Sequence, residues 1–195
     1  IMKLKTSITI IGGCLIIFIF IMLPIVLSVQ DKKEEYVSTI KGSSFSLNDI
    51  NNNPITEKSF QVQNVALFFG FTHCPDICPM TLNKLSIILE RLEKENKTLK
   101  VFFISIDPER DTPEIMRDYL NSFAGKFTGI TGEPEKIFKL SQSWGIASQK
   151  IFSEEGEYTV NHSSPVILLK SGKYVDRITH LDDIKTSIKK IKKYL

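Results

Sequence analysis

Cysteine is scarce in this chain, with three residues in 195, too few for a disulfide-built scaffold. Cys14 sits in an apolar stretch, which leaves Cys74 and Cys78 as the only pair beyond it that can form an intramolecular disulfide. An excess of positive charge is also missing. With 25 Lys and Arg against 22 Asp and Glu the formal net charge is +3. Once Lys3 and Lys5 are set aside the balance is 23 against 22, which is not that of a nucleic-acid-binding protein. Histidine is as rare as cysteine, at three. What is present, 42% hydrophobic and 24% charged residues, is the composition of a globular protein with room for one domain and an appendage.

Charge is absent altogether between Lys5 and Asp31, and residues 8–29 are almost continuously apolar. As a helix this stretch would reach about 33 Å, enough to cross a bilayer core of about 30 Å. It predicts a single-pass transmembrane anchor, with Cys14 facing lipid or packing. A cleaved secretory signal would need a shorter apolar region and a small-residue site, which "IMLPIVLSVQ" lacks. "IGGC" at 11–14 resembles a lipoprotein processing site but has only a short apolar run before it. Lys3 and Lys5 on one side nearly balance Lys32 and Lys33 on the other. The short N-terminal tail favours leaving that end in the cytoplasm. No Arg- and Ser-rich presequence precedes the anchor. The expectation is a bacterial inner-membrane protein with its domain on the periplasmic side: a cytoplasmic tail at 1–7, the anchor at 8–29, a tether at 30–41 and a folded domain at 42–195.

Within that domain "FSLNDINNNPITEKSF" gives two short segments around an Asn-rich turn, a hairpin signal. "NVALFFGF" is apolar and too short for a helix, so it reads as a buried strand. From Pro79 onward, Leu82, Leu85, Ile88, Leu89 and Leu92 mark one face of a helix. "LKVFFISI" predicts a second buried strand. Thr112 then reads as an N-cap, with Pro113 at the first helical position and apolar residues at Ile115, Met116, Tyr119 and Leu120. "GKFTGITG" predicts a short strand and "EPEKIFKLSQSW" a short helix. "SPVILLKSGKYVDRI" predicts a hairpin turning at Ser171-Gly172, followed by a C-terminal helix with Ile184, Ile188, Ile191 and Leu195 on one face. The order β-α-β-α, hairpin, helix is that of an α/β, thioredoxin-like domain.

"FTHCPDICPMT" places Cys74 in a strand-to-helix loop and Cys78 in or just before the first helical turn. Residues four apart share a helix face, and the first-turn N–H groups and helix dipole stabilise thiolates that attack disulfides or bind soft metals. Three intervening residues loosen the pair relative to a two-residue spacing, so it can close to a disulfide or open around a metal. His162, in "YTVNHSSPVILL", lies just before a predicted strand, where thioredoxin-like folds bring a segment across the cysteines. His73 adjoins Cys74 and is expected to point away from it, and His180 reads as an ordinary surface or core residue. Two thiolates and an imidazole suit Cu(I), can hold Cu(II), and could take Zn(II) with a water. A redox dithiol and a structural pair remain open beside metal binding.

"FFGFTHCPDICPMTL", "ISIDPERDTPE" and "YTVNHSSPVILL", in this order and at these separations, resemble the Sco/SenC family of copper-binding, thioredoxin-like proteins anchored by one N-terminal helix. The resemblance covers roughly residues 40–180. It implies that Cys74, Cys78 and His162 bind copper and that the protein serves assembly of the dinuclear copper A centre of cytochrome c oxidase. Its implied partners are the oxidase copper-A subunit and a copper donor protein. Asn161 stands where the family usually has Asp, and "LKSGK" replaces its usual Asp-Pro-x-Gly turn. Ser164-Pro165 resembles the cis-proline segment of thioredoxins. Asp107, at the end of its strand, could orient the site or meet a partner, or simply form a turn and helix cap. Beside copper delivery stands a thiol-disulfide oxidoreductase that uses Cys74 and Cys78 to reduce the oxidase cysteines. A peroxidase of the peroxiredoxin type is disfavoured, because Thr72 lies two residues before Cys74 rather than three.

Overall fold

The computed structural model describes residues 18, 20–29, 42–61, 64–163 and 165–195. The chain divides into two units, residues 1–40 and 41–195. In the first unit residues 20–29 are helical, with apolar side chains such as Phe20, Leu23 and Leu27 exposed. Among the described residues no helix is long and apolar enough to cross a membrane, and most of the anchor expected over 8–29 lies outside them. Only the C-terminal part of the expected span falls on described residues. The tail at 1–7, Cys14 and the tether at 30–41 lie outside them.

The second unit is a mixed sheet flanked by helices. Its elements are β1 (Ser46–Asp49), β2 (Pro54–Thr56), β3 (Asn64–Gly70), α1 (Ile77–Glu93), β4 (Lys100–Ser105), α2 (Pro113–Asn121), β5 (Phe127–Thr131), α3 (Pro134–Ser143), β6 (Ser148–Phe152), β7 (Tyr158–His162), β8 (Val166–Lys170), β9 (Lys173–Ile178) and α4 (Ile184–Lys192). The sheet order is β2-β1-β5-β4-β3-β8-β9, and β6 pairs with β7 as a separate hairpin. β3, β4 and β5 run parallel. β8 returns antiparallel to β3, and β9 to β8.

The central strands are buried on both faces, and their sequences show it. Val65 to Phe69 and Val101 to Ile104 are all fully buried, as expected for near-continuous apolar runs in parallel strands. Burying each large apolar side chain contributes about 1.5–3 kcal/mol. α1 covers one face with Leu82, Leu85, Ile88 and Leu92, which join Phe68, Phe103 and Met116 in one core cluster. The end signals act locally. Thr112 accepts from the Ile115 N–H at 3.3 Å with Pro113 next to it, and Asp183 caps α4 by accepting from the Thr186 N–H at 2.6 Å. Asn52 (φ 64°) turns the first hairpin, and Ser171 (φ 49°) with Gly172 (φ 78°) turns the β8-β9 hairpin. Positive φ at two successive residues is the geometry that joins twisted antiparallel strands.

Of the apolar residues named on α2, Met116 and Leu120 are buried and Ile115 is exposed. The β6-β7 hairpin was not expected at all. Its strands are mostly exposed or half-buried, with Val160 the one buried residue, so they carry no alternating apolar signal.

Candidate metal centre

The cysteine loop is set where β3 gives way to α1. Gly70 ends the strand against the future site: a Cβ there would lie 2.8 Å from the Cys78 sulfur and 2.8 Å from the Phe103 ring. The Cys74 N–H donates to the Phe71 carbonyl at 3.3 Å, folding the loop back, and α1 starts at Ile77. Asp76 at the N-cap makes no side-chain cap. Instead the Cys78 N–H donates to the Cys74 sulfur at 3.4 Å, so a sulfur takes the part that an oxygen usually plays at a helix start. The two cysteines are free and unequal: Cys74 is half-buried and Cys78 is fully buried. Burial pushes the Cys78 thiol well above its ordinary value, and the nearby charges of Cys74 and Asp111 add to the rise, against a lowering backbone hydrogen bond at Phe71. Cys74 is therefore the sulfur placed to meet a metal or a disulfide first, and Cys78 gains most from a cation that compensates its charge.

Beneath the loop lies a carboxylate that the sequence did not single out. Asp111 is fully buried. Its Oδ1 accepts from the Thr72 hydroxyl at 2.6 Å, its Oδ2 from the Ser105 hydroxyl at 2.6 Å, and both oxygens stand 3.2 Å from the Thr72 N–H. Burial raises its pKa against these hydrogen bonds, which lower it. Asp111 thus ties the residue two before Cys74 to the end of β4. In the sequence it was one acid within "DPERDTP", indistinguishable from a helix-start residue. His73 is half exposed, with its Nδ1 3.1 Å from the Thr72 hydroxyl, and His180 is exposed.

His162 arrives from another part of the fold. It is the last residue of β7, paired in register with Ser148, rather than a residue of a plain loop. Its ring meets the Phe71 ring edge-on at 5.8 Å. Its Nδ1 is 2.9 Å from the Ser163 carbonyl. A carbonyl only accepts, so Nδ1 carries the proton and Nε2 carries the lone pair suited to a metal. Burial holds the His162 pKa below its ordinary value, partly offset by that carbonyl bond. The imidazole is accordingly neutral at neutral pH.

A polar clasp docks the hairpin. Tyr158 donates its hydroxyl to Asp107 Oδ1 at 2.8 Å, Arg110 Nε donates to Asp107 Oδ2 at 2.5 Å, and Arg110 Nη1 donates to the Tyr158 carbonyl at 2.9 Å. The Arg110 guanidinium lies 3.9 Å from the centre of the Tyr158 ring. Asp107 is fully buried, so of the roles expected for it the structure favours orienting the strand that ends in His162.

Phe71 thus borders both parts of the site, through its backbone at the cysteines and its ring at His162. The three side chains share this wall without being assembled, for among the described residues no group of three His, Cys, Asp or Glu is arranged to hold a metal ion. Asn161 is exposed on the hairpin opposite Gln149. Ser164 lies outside the described residues, and with it the Ser164-Pro165 bond.

The SCO1/SenC family model matches residues 33–195. SCO1 homolog 1, mitochondrial, of Arabidopsis thaliana is 40% identical over 130 residues, which is 66% of this chain and 39% of that protein. SCO2, mitochondrial, of Saccharomyces cerevisiae is 30% identical over 169 residues, 85% of this chain and 56% of that protein. The chain therefore spans roughly half or less of the length of these relatives. The solved structure of Bradyrhizobium japonicum ScoI with copper bound is 35% identical, covers 80% of this chain and 99% of its own, and superposes with a TM-score of 0.72. With the family model matching most of its length, this chain belongs to the SCO1/SenC family.

Proposed function

We propose that this protein is a membrane-anchored copper chaperone that binds copper through Cys74, Cys78 and His162 and assists assembly of the copper A centre of cytochrome c oxidase. The observation that carries the reading is the donor set around Phe71: one half-exposed sulfur, one buried sulfur and a neutral imidazole whose tautomer leaves the lone pair on Nε2. Two thiolates and an imidazole match the softness of Cu(I), and Cu(II) is within reach of the same set. Family membership and a copper-bound relative support it. Copper is cargo here. Cys74, the more accessible sulfur, exchanges first with an incoming thiol or imidazole ligand, while Cys78 and the hairpin release later. The partners are a copper donor protein and the oxidase copper-A subunit. The apolar run at 8–29 and the exposed apolar side chains of its helical end support an anchor in a bacterial inner membrane with the domain on the periplasmic side.

The test is the Cu(I) affinity of the reduced protein, measured anaerobically against a competing chelator, for wild type and His162→Ala. One-to-one binding that collapses in the variant bears out the three-ligand site, and binding indifferent to His162 removes it.

A second reading rests on the same cysteines. Cys74 Sγ accepts a helix N–H while Cys78 is buried behind it, the arrangement of an attacking and a resolving thiol. As an oxidoreductase the protein would reduce the oxidase cysteines so that copper can enter. Oxidase assembly in a His162→Ala strain separates the two: it survives if the dithiol alone acts and fails if copper is delivered.

A further inference from the structure

Far from the cysteines, charge is distributed unevenly. Residues 184–195 carry five lysines and no acid, whereas residues 42–183 carry 15 basic and 19 acidic side chains. The structure shows what the lysines join. α4 turns Ile184, Ile188, Ile191 and Leu195 to the core, which leaves Lys185, Lys189 and Lys193, each four residues apart, exposed along one row. That row borders a cleft of about 370 Å³ between the C-terminal end of α1 and α4, lined by Arg91, Lys94, Glu95, Lys185, Ile188 and Lys192.

Some of these cations are already matched: Lys94 pairs with Glu90 at 2.6 Å, Lys192 with Glu95, and Lys190 with Asp182 at 2.8 Å. Arg91, Lys185 and Lys189 make no contact ion pair among the described residues, although at longer range Arg91 acts on Glu90 and Lys185 on Asp183. Three cations without a contacting carboxylate thus lie in and beside a cleft with an apolar floor at Ile188. The cysteine pair sits at the opposite end of α1, with Arg91 13 residues beyond Cys78, about 20 Å along the helix axis.

We propose that this basic end of the domain, built from α4 and the last turn of α1, docks on an anionic lipid surface, with phosphate headgroups meeting Arg91, Lys185 and Lys189. A bilayer fits better than a compact acidic ligand. The cations form a row on an exposed helix face rather than converging on one buried point, and clustered Lys and Arg on such a face gain from anionic headgroups additively. Docked this way, the domain holds the cysteine loop on the side of α1 remote from the bilayer. This inference is independent of the copper reading and of the anchor.

Residues 42–195 contain the whole core cluster, and a solved relative is matched over 99% of its own chain by 80% of this one, so the domain without the anchor is the right material. It would be sedimented with phosphatidylcholine vesicles and with mixed phosphatidylcholine and phosphatidylglycerol vesicles. The wild-type domain should partition to the anionic vesicles only, and high salt should release it. Each cation removed should weaken partitioning about fivefold. The triple variant Arg91→Gln, Lys185→Gln, Lys189→Gln should therefore lose on the order of 100-fold, and Lys136→Gln with Lys139→Gln on α3 should change little. Circular dichroism confirms that each variant is folded. Absence of binding to anionic vesicles, or equal loss in the α3 control, overturns the proposal. So does competition by soluble glycerol phosphate at concentrations that leave ionic strength unchanged, which would mark a phosphate pocket, and so would capture by polyglutamate without vesicle binding.

Discussion

The two halves of the site are held by opposite means. The cysteine loop grows out of the core: β3 is fully buried up to Gly70, Cys78 is fully buried, and Asp111 anchors Thr72 from below. The β6-β7 hairpin that brings His162 has one buried residue, Val160, and is docked mainly through polar side chains of Asp107, Arg110 and Tyr158. A buried carboxylate with three donors around it is costly to disturb, whereas a partly exposed clasp can be rearranged at the cost of a few net hydrogen bonds. The cysteines thus stand on a fixed platform, and His162, in the proposed site, is carried by the more adjustable part.

Four changes would break or sharpen this contrast. The largest effect on metal binding is expected from the adjustable half: His162→Ala should lower Cu(I) affinity by more than about 100-fold, exceeding what loss of an outer-shell partner costs, with the thermal midpoint nearly unchanged. Chelator competition and a melting curve read the two together, and a large drop in stability would show that the hairpin is part of the core after all. On the fixed half the order should reverse. Asp111→Ala strands the Thr72 N–H and two hydroxyls and should cost on the order of 3 kcal/mol in urea unfolding. An effect below about 1 kcal/mol would mean that Asp111 does not hold the loop.

Gly70→Ala tests the same platform by crowding. A methyl group 2.8 Å from the Cys78 sulfur and the Phe103 ring should destabilise the fold by about 1–3 kcal/mol and displace Cys78, visible as a changed rate of thiol alkylation. The smallest change is Arg110→Gln, which loosens the clasp but leaves both cysteines in place. It should weaken Cu(I) binding by about 10-fold while the dithiol reduction potential stays where it is.

pH acts on the two halves in opposite directions. His162 has a lowered pKa in the fold because of burial. Below the ordinary value of 6.5 the unfolded chain takes up its proton first, so His162 withdraws stability as pH falls through that range. Asp111 has a raised pKa from burial. In the interval above 3.8 the folded state holds more protons than the unfolded one, so Asp111 withdraws stability as pH rises. Stability profiles of His162→Ala and Asp111→Asn should lose these two slopes separately.

Much of the fold was legible because its signals are local. The apolar runs of β3 and β4, the α1 face from Leu82 to Leu92, the Thr112-Pro113 start, the Ser171-Gly172 turn and the apolar face of α4 each lie within a few residues of the structure they specify. Cys74 and Cys78 were legible for the same reason. The β6-β7 hairpin was not, because a strand pair exposed on most positions leaves no periodicity to read. Asp107 was noticed only as one of several things an acid after a strand can be.

What the amino-acid sequence determined by itself was the strand-helix order, the cysteine pair at a helix start and the apolar N-terminal stretch, since spacing, caps and hydrophobic period are properties of neighbouring residues. Tertiary structure alone decided that Cys78 is the buried sulfur, that Asp111 sits under Thr72 and not at a helix cap, that Arg110 and Tyr158 hold the strand ending in His162, and that Arg91 joins the α4 lysines. These contacts link residues between 39 and 94 positions apart in pairs such as Thr72 with Asp111 and Arg91 with Lys185. Burial and charge compensation at such separations are set by how the elements pack, and no local pattern records them.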